Sequence, residues 1–148
     1  MRTLQWVALC ATMIMLVACG SNSNNAFNGN WSATLVNPDS TTAFTFTTSL
    51  SEGSQGNVTV TNLSFGTSSS CFALGTTASG TFAGTGTTNG AATGSIQLTI
   101  QSSTSNSNGA NALTLQGALN NNTITGSWQL TGTGAGCTGS GSFTMTKM

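Results

Sequence analysis

Apolar residues return at every second position along most of this chain. In Ala43-Phe44-Thr45-Phe46-Thr47-Thr48-Ser49-Leu50, one parity holds Phe44, Phe46 and Leu50, and threonine and serine hold the other. Ser95-Ile96-Gln97-Leu98-Thr99-Ile100-Gln101 repeats the scheme, and Trp31, Ala33 and Leu35 share it. A period of two sends alternate side chains to opposite faces of an extended chain, so these segments predict half-buried β-strands. Val58 and Val60, Leu113 and Leu115, the set Ile124, Trp128 and Leu130, and finally Phe143 and Met145 carry the pattern to the C-terminus.

Turn chemistry separates the strands. Asn37-Pro38-Asp39-Ser40 reads as a type I turn, Glu52-Gly53-Ser54-Gln55-Gly56 as a hairpin loop, and Asn120-Asn121-Asn122 as a tight connection tolerant of positive φ. The apolar parity switches between Val60 and Leu63, which predicts a β-bulge near Thr61-Asn62. Gly80 to Gly94, glycine-rich around Phe82, reads as a weak strand or a loop. Eight or nine short strands joined by short turns predict an all-β antiparallel meander. With almost no charge to guard open sheet edges, closure into a barrel of about eight strands is favoured, with a β-sandwich as the alternative. Strands this short disfavour a transmembrane barrel, and repeats without a fixed period disfavour a solenoid.

The N-terminus follows another pattern. Arg2 precedes an apolar run from Leu4 to Ala18, interrupted by Gln5 and Thr12, which is the layout of a secretory signal. The run closes on Leu16-Val17-Ala18-Cys19-Gly20, which resembles the lipobox of bacterial lipoproteins. That resemblance implies a signal peptide over residues 1–18 and a mature N-terminus at Cys19, diacylated on sulfur and acylated on nitrogen. It also implies an anchor in the membrane. Gly20 and Ser21 lack the aspartate that favours inner-membrane retention in that family, so an outer-membrane location is expected where the host has two membranes. Residues 19–28, rich in Ser and Asn, read as a lipidated flexible tether, and residues 29–148 as a single β domain.

Composition narrows the chemistry. Cleavage after Ala18 leaves 130 of the 148 residues, the size of one domain. Asp39, Glu52 and Lys147 are the only charged side chains in that part, and the sequence has no histidine. Nucleic acid is excluded as a partner, because phosphate binding needs clustered Lys and Arg. Serine nucleophiles find no base, and Asp39 and Glu52 each sit in a turn or loop that explains them, so no catalytic group is expected. No cofactor is implied.

Once Cys10 departs with the signal and Cys19 takes lipid, Cys71 and Cys137 remain, and they are expected to pair in an oxidising compartment. A metal site is the rival reading, but two thiols without histidine fall short of a usual ligand set.

Gly29-Asn30-Trp31 resembles the Gly-x-Trp motif of lipocalins, in which the tryptophan closes one end of an eight-stranded ligand-binding barrel. The chain lacks the late arginine of that signature, and Gly126-Ser127-Trp128 repeats the triplet. Three non-catalytic functions are therefore expected. The first is a structural or surface lipoprotein of the envelope, touching cell-wall or envelope components. The second is a binding module for a small apolar ligand, lined by Trp31, Phe44, Phe46, Phe82 and Trp128, with interior Gly, Ala and Ser leaving room. The third is a carbohydrate or surface adhesion module.

Overall fold

A computed structural model describes residues 27–66, 70–72, 76–88, 91–102, 111–133 and 135–148. The expected signal peptide, Cys19 and the expected tether up to residue 26 lie outside the described residues. Eight antiparallel strands follow one another in chain order around a closed barrel. They are β1 (Gly29–Val36), β2 (Thr42–Glu52), β3 (Asn57–Phe65), β4 (Thr76–Thr88), β5 (Ala91–Ser102), β6 (Ala112–Asn120), β7 (Thr123–Thr131) and β8 (Gly139–Lys147). β1 pairs with both β2 and β8, so the sheet closes on itself and is not split into a sandwich.

The meander gives the barrel two unlike rims. At the lower rim, where β1 begins, 53–56 joins β2 to β3 and 121–122 joins β6 to β7, β4 ends and β5 begins, and Met148 follows β8. At the upper rim 37–41 joins β1 to β2, β3, β5 and β7 end, and β4, β6 and β8 begin.

The expected parity sets the inside. Leu35 stands level with Phe44 on one side and Phe143 on the other, and Ala33 with Phe46 and Met145. Outside, hydroxyls align across strands in register. Thr125, Thr144, Thr34 and Thr45 form one row over β7, β8, β1 and β2, and Thr123, Thr146, Ser32 and Thr47 form the next. Such cross-strand pairs each contribute roughly 0.2–1 kcal/mol.

Local irregularities follow the turn residues. Ser40 N–H donates to Asn37 O at 2.9 Å, closing the expected turn, and Ser40 itself takes φ 68° as the extra residue before β2. Asn121 takes φ 57° in the two-residue link between β6 and β7. Thr47 pairs with Ser64 and Ser49 with Thr61, so Asn62 and Leu63 together face Thr48. Asn62 takes φ 52°, and this is the bulge that the parity switch predicts.

One expectation needs correction, and one choice between readings is decided. Thr48 shares the parity of Phe46 and Leu50 and points inward, buried, with its Oγ1 donating to Thr61 O at 2.9 Å. The bulge supplies the acceptor that lets a hydroxyl sit in the core. Of the two readings offered for Gly80 to Gly94, the strand holds and the loop does not over its described residues: 80–88 complete β4 and 91–94 begin β5, paired from Thr76↔Ser102 to Thr88↔Ala91 with one irregularity between Gly84 and Gly86. Apolar alternation fails there because the inward positions Gly80, Gly84 and Gly94 carry no side chain.

Candidate functional site

The aromatic side chains expected to line one pocket separate into two groups. At the lower rim, Trp31 is fully buried and its Nε1 donates to Phe27 O at 2.9 Å. The Phe27 ring lies 6.1 Å from Trp31 and stacks on Phe82 at 4.5 Å with 12° between planes. Phe27 is itself buried, so the folded body starts two residues ahead of the expected tether boundary. Asn28 joins it, with Oδ1 accepting Glu52 N–H at 2.7 Å. Phe27 was legible as the lone aromatic between the Ser/Asn run and Gly29-Asn30-Trp31.

At the upper rim, Phe44 meets Trp128 edge-on at 5.9 Å and Phe72 at 6.4 Å. Phe72 stacks on Phe65 at 4.9 Å with 3° between planes, and Phe65 reaches Phe46 at 5.6 Å. Phe46 and Trp128 are buried and Phe44 is half-buried. Trp128 Nε1 donates to Val36 O at 3.1 Å, so both tryptophan N–H groups are spent on backbone carbonyls. Phe65 and Phe72 were absent from the expected lining. Their signals were the bulge, which returns Phe65 to the inner face, and the adjacency of Phe72 to Cys71.

The 3₁₀ turn Ser70–Phe72 follows β3 and brings Phe72 onto Phe65, with the Thr76 hydroxyl at the start of β4 donating to Phe72 O at 3.4 Å. Two further links hold it. Cys71 and Cys137 form the expected disulfide, S–S 2.06 Å and Cα–Cα 5.6 Å, tying the turn to the β7–β8 connection. Asn111 Nδ2 donates to Cys71 O at 2.9 Å, buried beside β6. Gly132 faces the Asn111 side chain so closely that a Cβ there would collide with Oδ1, so this clasp demands glycine.

Inward glycines leave less room than composition suggests, because rings occupy the space above them. A Cβ on Gly94 would lie 2.5 Å from Phe82 Cζ, one on Gly117 2.8 Å from Phe143 Cζ, and one on Gly141 2.8 Å from Trp128 Nε1. On the outside, Gln55, Thr81, Ala83, Ser95, Gln97 and Gln116 border an open depression of ≈ 520 Å³ over β4–β6, as apolar as it is polar and without a charged side chain.

Titratable chemistry is confined to the turns and the rim. Asp39 Oδ1 accepts Thr41 Oγ1–H at 2.6 Å and Thr41 N–H at 3.0 Å, and these two bonds hold its carboxyl below the ordinary carboxylate range. Among the described residues, no group of three or more His, Cys, Asp or Glu is placed to hold a metal ion. Comparison with models of known families, with curated proteins and with solved structures finds no match.

Proposed function

We propose that this chain is a lipid-anchored, non-catalytic protein of the cell envelope, held through Cys19 and at the outer membrane where the host has two. Its contact surface is the uncharged wall of hydroxyl and amide side chains, suited to neutral cell-wall polymers or other envelope proteins and not to nucleic acid. The observation that carries this reading is the contrast between wall and interior: rows of threonine outside, rings seated over glycines inside. A wall of Thr, Ser and Gln is the reverse of the apolar band that a lipid-facing barrel needs, so the barrel belongs in water and attachment falls to the acyl chains.

The rival reading, a lipocalin-like module for a small apolar ligand, needs an opening among the aromatics. The rings pack on one another and on glycines instead, which favours the envelope role. The depression over β4–β6 supports a neutral, hydroxylated ligand such as a carbohydrate at the wall. The anchor is tested by Cys19→Ser. The variant leaves the membrane fraction and loses labelling by a fatty-acid probe; membrane retention with labelling intact refutes the reading.

A further inference from the structure

We infer that the lower rim of the barrel faces the lipid surface and that the disulfide-bearing upper rim points away from it. This orientation rests on the proposed acylation of Cys19. It follows from where the chain enters the fold and from how much chain lies before that point.

Phe27 is pinned at the lower rim. Its ring is buried against Phe82, its carbonyl accepts the Trp31 indole N–H, and Asn28 next to it accepts Glu52 N–H. Cys19 stands eight residues earlier. Eight residues behaving as the expected tether would have an r.m.s. span of about 16 Å, and no conformation of eight residues exceeds ~29 Å. The barrel wall is taller than that mean span: the eight residues of β1, at ~3.3 Å each and tilted by ~40°, rise about 20 Å before the upper connections are added. Turning the upper rim to the bilayer would require the link to run nearly straight along the whole wall, surrendering its conformational freedom.

The lower rim suits the approach. Its connection 121–122 is minimal, and Met148, 69 % exposed, sits there with its N–H on Asn30 O. Glu52 is the one acidic side chain at this rim among the described residues, whereas Asp39 lies in the β1–β2 turn of the opposite rim. The partner surface is therefore a bilayer headgroup layer, met by turns and one apolar side chain.

The test uses the full chain, expressed, processed and reconstituted in phosphatidylcholine–phosphatidylglycerol vesicles. A single cysteine is placed at the lower rim (Asn122→Cys) or at the upper rim (Thr42→Cys), both exposed positions. With Cys19 consumed by acylation and Cys71 paired to Cys137, a maleimide fluorophore labels only the introduced thiol. A nitroxide lipid in the vesicles should quench the label at 122 severalfold more than the label at 42. Equal quenching, or stronger quenching at 42, overturns the orientation. An intact mass without acyl chains instead removes the anchor reading on which the orientation stands, and the two failures are thereby told apart.

Discussion

Some inward glycines of this barrel sit where a ring lies against the backbone, and others, such as Gly126, where a neighbouring strand's backbone does. Gly94 is the sharpest case of the first kind, because an added methyl meets two carbon atoms of Phe82, at 2.5 Å each. Overpacking of this kind typically costs about 1–3 kcal/mol. Gly94→Ala should lower stability by that amount in denaturant unfolding, while Gly84→Ala, whose Cβ would sit 3.4 Å from the same ring, should be close to neutral. Equal effects would mean that Phe82 moves aside freely. Asp39 makes a second residue-scale prediction. Its folded pKa is lowered, so the stabilisation from its bonds to Thr41 is complete above the ordinary Asp range and is lost as pH falls through the lowered value. The stability gap between wild type and Asp39→Asn should therefore be largest near neutrality and shrink in acid, measured as unfolding midpoints across pH.

Among the elements, strands were legible and one connection was not. Period-two patterning places β1, β2, β5 and β7 without ambiguity, and the parity switch finds the bulge in β3. β4 was legible only as a weak strand or a loop, because its inward positions Gly80 and Gly84 break the apolar alternation around Phe82 and its identity depends on register with β5, which local sequence does not carry. The turn Ser70–Phe72 escaped, since its place comes from the clasp to Cys137 and Asn111. That clasp closes a 66-residue separation. In the chain-entropy model a loop of this length adds about 4 kcal/mol, so Cys71→Ser/Cys137→Ser should lose that much. A loss below 1 kcal/mol would show that aromatic packing of Phe72 holds the turn unaided.

For the whole molecule, closure disposes of sheet edges that almost no charged residue protects. It also buries Trp31 and Trp128, one towards each rim. The barrel, residues 27–148, should therefore emit at blue-shifted wavelengths and resist acrylamide quenching until it unfolds; ready quenching in the native state would reveal an open rim. The expected lining residues illustrate the limit of a one-dimensional reading. Trp31, Phe44, Phe46 and Trp128 were placed on the apolar parity of their strands, but parity says nothing of which inward residues meet. Phe27 joins the lower group by stacking on Phe82, a contact that its standing out as an aromatic beside a Ser/Asn-rich stretch does not specify.

What the sequence by itself determined is what neighbours in the chain decide: strand parity, turn positions, the bulge, and the two cysteines left to pair. These rest on backbone geometry over two to four residues, which side-chain type alone biases. Tertiary structure alone decided the pairing of β8 with β1, the seating of rings over Gly94, Gly117 and Gly141, and the clasp that holds the turn of Phe72. Each of these depends on how strands and connections meet across the barrel and not on chain neighbours, so the competing terms are volume and contact, and a glycine counts as empty or filled only once its neighbour is known.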